Sequence, residues 1–547
     1  MDLMQDPRLV PEAENRLATF NDERSSIVDQ VVRRVVGRKL ALAEKRPEHS
    51  LEYVLNEVAF AEIKRHEKSG GKDQKKKLAR WRDLAHSLGR MSEGERRKEL
   101  EGLVRYHAQD IAGNFNPKVY RFARDILPPA FSFLLNPISG VKDGMEALGS
   151  LKEQIRIEGP IDVVRTCCER GTLVVTPTHS SNLDSIAIGF GLQRAKLPPV
   201  TYGVGKNLFT NPFMTFFMHN LGAYRVDRRL RFSLYKDVLK EYSTVLLERG
   251  YHSLFFPGGT RCRSNDVEQH LKLGLMGTTM TAYVNNLRDE GPPRRLYIVP
   301  VTINYRLVLE AESLIDDYLS ETGKSRYIIE DDEFSKLHRI VDFARKILAH
   351  EGAVTLKFGR PLDPFGNEVD DAGESRDARG RLVDPASFVQ DAQGEVVEDP
   401  QRDSVYTRRL GLKVAEAYRR DTVFMGSNVV ARAAYEVAKE RTGIADIYRL
   451  MRLPDSALAI PFDQLSEQVV RVRAAIDAHP EWGQLDSRSC ELGAEELILE
   501  TLRFFRSYHT KKVLYKVGDH VRVGSMKLVY YYKRRTSHVE LESGGQR

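Results

Sequence analysis

The sequence predicts an α/β fold: a central, mostly parallel sheet with flanking helices, set between helical N-terminal and C-terminal regions. Three observations predict it. Short β-rich runs alternate with helix-like stretches between about 150 and 360. The chain before them reads as charged helix without strand-like alternation, and the helical pattern resumes from 404. The expected regions are 1–130 (N-terminal, helical), 131–360 (the α/β domain), 361–403 (a polar insert) and 404–547 (C-terminal, helical). A length of 547 residues exceeds what one compact core organises and agrees with this division.

In chain order, Ile27, Val31, Val35 and Leu40 mark an early helix and suggest a helical cap or partner arm. Five strands are expected at 173–177, 222–226, 253–257, 297–303 and 354–358, each short and rich in β-branched or aromatic residues. The insert repeats a loose phrase: Gly366-Asn-Glu-Val-Asp370, Gly380-Arg-Leu-Val-Asp384 and Gly394-Glu-Val-Val-Glu398. Short hairpins or a mobile loop are expected there. The D-x-D-x-D-G order of a calcium loop is absent, so no metal is expected. Residues 429–437 and 497–505 carry the helical pattern of the C-terminal region.

With 29% charged and 41% hydrophobic residues, the chain is neither a polytopic membrane protein nor disordered throughout. Two apolar segments, 126–136 and 208–218, are interrupted by proline and fall short of the roughly 20 residues a spanning helix needs. Burial in a core is the plain reading of both. The second, with Phe209, Phe213, Met214, Phe216, Phe217 and Met218, is the better candidate for dipping into lipid. The opening MDLMQDPRLVPEAENR lacks the basic and apolar regions of an export leader, so none is expected. Cys167, Cys168, Cys262 and Cys490 show no repeated C-x-x-C spacing, which suits a reducing compartment. The net charge of +7 favours an anionic partner. Basic runs at 64–77 and 511–535 read as solvated faces or as a hold on acidic lipid; without a recognised reading motif, no nucleic-acid partner is expected.

The chemistry gathers just past strand ends. His179 and Asp184 follow the first predicted strand, Arg228 the second, and Gly258-Gly-Thr-Arg-Cys-Arg263 the third. In open α/β sheets the carboxyl edge is where ligands bind, so three segments converge on one crevice. The set suits acyl transfer to an alcohol. A neutral imidazole can take a hydroxyl proton near pH 7, and a carboxylate on its other nitrogen fixes the tautomer. His179 would be the base and Asp184 its orienter. No G-x-S-x-G elbow is present and Cys262 has no neighbouring histidine in sequence, so the substrate hydroxyl attacks without a protein nucleophile. Arg228, Arg261, Arg263 and Lys272 supply cations for an anion site, and Gly258 with Gly259 lets main-chain N–H groups approach a phosphate or oxyanion.

His179-Ser-Ser-Asn-Leu-Asp184, Gly222-Ala-Tyr-Arg-Val-Asp-Arg228, Phe256-Pro-Gly-Gly-Thr-Arg-Cys-Arg263 and Ile298-Val-Pro-Val-Thr-Ile303 resemble, in order, the four motif blocks of the glycerolipid acyltransferases. The resemblance covers about 170–310. Segments 232–242 and 304–310 are more similar to glycerol-3-phosphate acyltransferases than to the shorter lysophosphatidate enzymes. The resemblance implies transfer of a fatty acyl group to the 1-hydroxyl of glycerol 3-phosphate, an early step of phospholipid synthesis. Acyl-CoA or acyl carrier protein would be co-substrate, with no resident cofactor. It further implies a peripheral position on an anionic membrane surface, at the cytoplasmic face of a membrane such as a bacterial inner membrane. By block matching, His179 and Asp184 are the catalytic pair. Gly222, Arg228, Gly259 and Arg261 are acceptor or phosphate contacts, and Thr260 and Pro300 are structural to the site. One position departs from the pattern: Gly258 stands where block three usually carries a Glu associated with acceptor binding. Dihydroxyacetone phosphate or a lysophospholipid therefore stays open as acceptor, as does a catalytically inactive lipid-binding protein. Cys262 in place of the usual Ser is a milder change.

Overall fold

A computed structural model describes residues 16–67, 72–125, 155–206, 212–289, 294–322, 353–454, 456–507 and 509–541. The apolar segment 126–136, Phe209, and the side chains of Phe213, Met214 and Phe217 lie outside what it describes.

Seven strands form the central sheet: β1 (Ile155–Glu158), β2 (Gly171–Pro177), β3 (Thr201–Gly205), β4 (Ala223–Val226), β5 (Ser253–Leu254), β6 (Arg295–Tyr305) and β7 (Val354–Phe358). Their order is β1-β7-β6-β2-β5-β3-β4. Strands β2 to β6 run parallel; β7 lies antiparallel to β6 and carries β1 parallel beside it. The sheet is thus mostly parallel, with one reversed edge. Strands β2 and β6 are buried almost throughout, as a parallel strand covered on both faces must be. The sequence left β1 and β3 unread, because β1 is half charged and β3 contains Gly203 and Gly205, which weaken a strand signal. The third expected strand is shorter than 253–257, since β5 pairs with β2 and β3 only at Ser253 and Leu254.

Helices cover both faces. The N-terminal helices Phe20–Lys45, Leu51–Glu67 and Glu93–Ile111 pack on the helix Ser233–Glu248, with Val31 and Val35 in one cluster with Val238, Tyr242 and Val245. Arg34 pairs with Glu248 at 2.7 Å across that junction. The early helices are therefore docked on the α/β layer rather than held out as an arm. On the other side, the helices Asp184–Arg194, Ala311–Thr322 and Gly426–Thr442 share one core with β2, β6 and β7.

The insert is a run of hairpins more regular than its three phrases suggest. Asp363, Asp370, Asp377 and Asp391 each accept main-chain N–H groups two and four residues on, at 2.9–3.0 Å. Three residues after each aspartate stands a glycine with positive φ, from Gly366 at +81° to Gly394 at +84°. The C-terminal region is not wholly helical either: Ala459–Pro461, His520–Val523 and Leu514–Val517 form a three-stranded antiparallel sheet. Its signal was the alternation in Leu514-Tyr-Lys-Val-Gly-Asp-His-Val-Arg-Val523 around a Gly-Asp turn. The basic run at 533–535 turns inward. Lys533 lies over the rings of Tyr435 and Tyr530 at 4.4 and 5.0 Å, Arg534 pairs with Asp266, and Arg535 is buried. These three cations are committed to the protein's own groups and do not form the anionic-partner face that their spacing suggested.

Gly159, after β1, has φ +103°, and a Cβ there would lie 1.9 Å from the Phe358 carbonyl oxygen. Gly159→Ala should therefore cost at least about 2 kcal/mol of stability, read as a lowered denaturation midpoint.

Candidate active site

The turn after β2 reverses the chain into the helix Asp184–Arg194, and Asp184 is the first residue of that helix. From there its carboxylate reaches back over the turn. Oδ2 accepts His179 Nδ1–H at 2.8 Å and the main-chain N–H groups of Ser180 and Ser181 at 2.7 and 2.9 Å. Oδ1 accepts the Tyr305 hydroxyl at 2.6 Å. Asp184 is fully buried, so these bonds stand in for its lost hydration. The bond to a carboxylate places the imidazole proton on Nδ1, which leaves Nε2 as the acceptor. Nε2 has no hydrogen-bond partner among the described residues, and the ring stacks on Phe256 at 4.3 Å between centroids while keeping 17% of its side-chain surface in solvent.

The loop after β5 holds the main chain of His179 on both sides. Cys262 N–H donates to the His179 carbonyl at 2.7 Å, and His179 N–H donates to Glu268 Oε1 at 2.6 Å. A third acid, Glu310, just before the helix Ala311–Thr322, is 1% exposed. It accepts Ser181 Oγ–H at 2.8 Å, Asn182 N–H at 2.9 Å and Arg261 Nη1–H at 3.3 Å. Burial pushes the Glu310 carboxyl above its ordinary pKa, against the pull of Arg261. It pushes Glu268 up to about 7 against its bond from His179. Arg535, from the C-terminal region, lies behind the turn and donates to Ile303 O and Asn304 Oδ1 at 3.1 Å. A small polar cavity lined by Ser180, Asn265, Asn304, Tyr305 and Arg535 adjoins it.

The structure divides the residues read from sequence. His179, Asp184, Arg228, Gly259, Thr260, Arg261 and Lys272 all stand at the carboxyl edge. In block two, Asp227 binds Arg229 through both carboxylate oxygens at 2.9 Å, which leaves Arg228 without a carboxylate partner among the described residues. Partial loss of hydration, then the nearby Arg261 charge, lowers the Arg228 pKa. Lys272 is exposed and lies over Gly259, with Nζ 2.7 Å from where a Cβ would stand; Gly259 has φ +75°. Arg228 and Lys272 are thus the open cations. Arg261 is tied to Glu310. Arg263 is drawn to the protein's own acids: it pairs with Glu321 and, at 3.9 Å, with Asp317 on the helix Ala311–Thr322. Gly222 is at the wrong edge. It precedes β4 at its amino end, buried against Val200, Leu17 and Phe115, so its glycine serves packing at φ +87°. Pro300 lies within β6 beside Thr176, and its carbonyl accepts Gly359 N–H at 2.7 Å on the β7 side, where a missing N–H costs little because β7 has ended. The Cys262 thiol is engaged: it donates to Asp266 O at 3.3 Å, and burial raises its pKa.

Tyr305, Glu268, Glu310 and Arg535 escaped the sequence reading. Tyr305 and Glu310 fall in the 304–310 segment, whose resemblance to glycerol-3-phosphate acyltransferases gives neither a role. Nothing local marks Glu268 or Arg535, because both act through the fold. The departure at Gly258 has a steric cause. A Cβ there would lie 2.3 Å from Glu268 Oε2, so the place of a 258 side chain is filled by a carboxylate from ten residues downstream.

Residues 154–304 match the family model described as Acyltransferase, so this sheet edge belongs to an acyltransferase domain. The chain is 26% identical over 287 residues to the glycerol-3-phosphate acyltransferase of Pseudomonas aeruginosa (strain PAO1), an alignment covering 52% of this chain and 30% of that one. It is 27% identical over 206 residues to the glycerol-3-phosphate acyltransferase of Xanthomonas campestris pv. campestris, covering 37% and 21%. The matched region thus spans under a third of these relatives' length. Among solved structures, the 1-acyl-sn-glycerophosphate acyltransferase PlsC of Thermotoga maritima aligns over 55% of this chain and 92% of that one, at 15% identity and a TM-score of 0.25. Over the matched region the chain thus carries an acyltransferase domain that is similar to those of glycerol-3-phosphate acyltransferases.

Raising the Glu268 pKa from 4.5 to about 7 on folding means that the native state holds this proton more tightly than the unfolded chain. The stabilisation is full below pH 4.5 and lost as pH rises through 7. Between those limits wild type should lose about 1–3 kcal/mol relative to Glu268→Gln, measured by denaturant unfolding of both proteins at each pH.

Proposed function

We propose that the protein transfers a fatty acyl group from a thioester donor, acyl-CoA or acyl carrier protein, to the 1-hydroxyl of glycerol 3-phosphate. The observation that carries this reading is the His179 ring: its Nδ1–H is held by buried Asp184, its Nε2 has no hydrogen-bond partner among the described residues, and 17% of the side chain stays in solvent. Nε2 takes the proton of the acceptor hydroxyl as that oxygen attacks the thioester carbonyl. The C–O bond forms, the C–S bond breaks, and the proton passes to the departing thiolate. Asp184 stabilises the imidazolium in between. No covalent acyl-enzyme is needed, in keeping with the engaged thiol of Cys262.

Arg228 and Lys272 bind the acceptor phosphate at this edge; a guanidinium without a carboxylate partner is suited to a phosphate's paired oxygens. The relatives' printed names supply the glycerol-3-phosphate reading. For a lipid product the site works against a membrane surface as a peripheral enzyme. Among the described residues no helix is long and apolar enough to cross a membrane, while Phe216 is 52% exposed on the helix Pro212–Asn220.

The test is acyl transfer from one radiolabelled acyl-CoA, with detergent or vesicles, to glycerol 3-phosphate, dihydroxyacetone phosphate and a lysophospholipid in parallel. Glycerol 3-phosphate should be the acceptor used best. His179→Ala should lower kcat by about 100-fold to 10,000-fold with unchanged circular dichroism. A variant as active as wild type would refute the base.

A further inference from the structure

Glu268 has no part in the chemistry above, yet its carboxylate lies at the centre of it. It stands on the loop between the 258–263 turn and the helix Leu273–Arg288. Through Oε1 it accepts His179 N–H at 2.6 Å, opposite the Cys262 N–H that holds the His179 carbonyl. Its Oε2 is buried. The three atoms nearest to a Cβ built on Gly258 are Oε2, Cδ and Oε1 of this one side chain, at 2.3, 2.8 and 3.1 Å. A side chain at 258 and the carboxylate of Glu268 compete for a single volume, so glycine at one position and glutamate at the other form a coupled pair. The carboxyl oxygen of Glu268 accepts this main-chain N–H whether the buried acid is protonated or ionised. Here it fixes the peptide whose ring must satisfy Asp184 and still aim Nε2 at the acceptor.

We propose that Glu268 is a positioning residue for His179: seated in the volume that Gly258 leaves free, its carboxylate pins the His179 main chain and so holds the imidazole on Asp184 with Nε2 open. The proposal rests on the reading of His179 as the base, and its test separates the two. The chemistry predicts that a carboxylate entering the same volume from the other side does the same work. An Asp carboxylate oxygen lies about 2.4 Å from its Cβ by standard bond lengths, and Oε1, the oxygen that accepts His179 N–H, lies 3.1 Å from the Gly258 Cβ position, so a carboxylate at 258 starts within short reach of the same amide.

The experiment compares the full chain with Glu268→Ala, Glu268→Gln, Gly258→Asp and the double variant Gly258→Asp/Glu268→Ala. Two quantities are read: hydrogen exchange of the peptide spanning 179–184 by mass spectrometry, and kcat with the acceptor KM. Glu268→Ala should speed exchange of the His179 amide by about tenfold or more. It should lower kcat by about 100-fold, the scale of a misplaced catalytic group, while the acceptor KM stays within about threefold. Glu268→Gln, which keeps an acceptor oxygen, should restore most of the protection and rate. Gly258→Asp alone should be impaired, and the double variant should exceed Glu268→Ala in kcat by about tenfold or more. Should Glu268→Ala fail to fold, Glu268→Met, which fills the volume without an acceptor, carries the same readouts. Unchanged His179 exchange without the carboxylate, or a folded double variant no better than Glu268→Ala, overturns the proposal. A wild-type chain that transfers no acyl group refutes the function, while the exchange measurement still decides the role of Glu268.

Discussion

The site depends on one carboxylate that is out of water and must be satisfied by protein. Asp184 answers four donors at once: an imidazole, two successive main-chain amides and a phenol. Each is supplied by a different feature of the chain. The amides exist where they do because the turn between β2 and its helix is only long enough to fold back on the helix's first residue. The phenol comes from the far end of β6, which the sheet order places directly beside β2. The imidazole tautomer follows from the first bond, and the availability of Nε2 follows from the tautomer. Local sequence, sheet register and proton chemistry meet in that group.

Around it the protein gathers like charges at close quarters. Asp184, Glu268 and Glu310 all contact the 179–182 turn, two of them with pKa values raised by burial. Arg261 answers Glu310 from the front, while Arg535 stands behind among main-chain and amide oxygens. Such a cluster is costly unless its members are hydrogen-bonded, and the cost buys rigidity where aim matters. It also explains why the cations of the 261–263 stretch are engaged within the protein. Arg261 and Arg263 pair with the protein's own acids, which is why the proposed anion site rests on Arg228 and Lys272. The C-terminal region is part of this arrangement, since it contributes Arg535 to the back of the site and Tyr532 to the main chain of Val308.

Much of this was legible in the sequence, for identifiable reasons. The His179–Asp184 spacing is a property of one turn, so it carries its geometry with it. The apolar β2, β4, β6 and β7 announce themselves by composition, and the parallel sheet follows from their alternation with helices. What escaped was set by long-range placement. Glycines hid β3 and charges hid β1. The Gly-Asp hairpin at 518–519 lay inside a region otherwise helical in texture. Gly222 looked like a site residue because it opens a motif block, but a strand's length separates its two ends. Arg263 reads as a phosphate ligand in sequence, where nothing shows that a helix nearly sixty residues on supplies Glu321 as its partner. Gly258 read as a loss, whereas its meaning lies in Glu268, a residue no local pattern connects to it.

The proposed role of Asp184 is to set His179 up as a base. It is tested most directly by the pH dependence of kcat/KM for acyl transfer in wild type and in Asp184→Asn, which keeps the shape and removes the carboxylate that orients the ring. A loss of at least about 100-fold across the whole profile, with the fold retained, is expected. A variant with wild-type kcat/KM at every pH would contradict it.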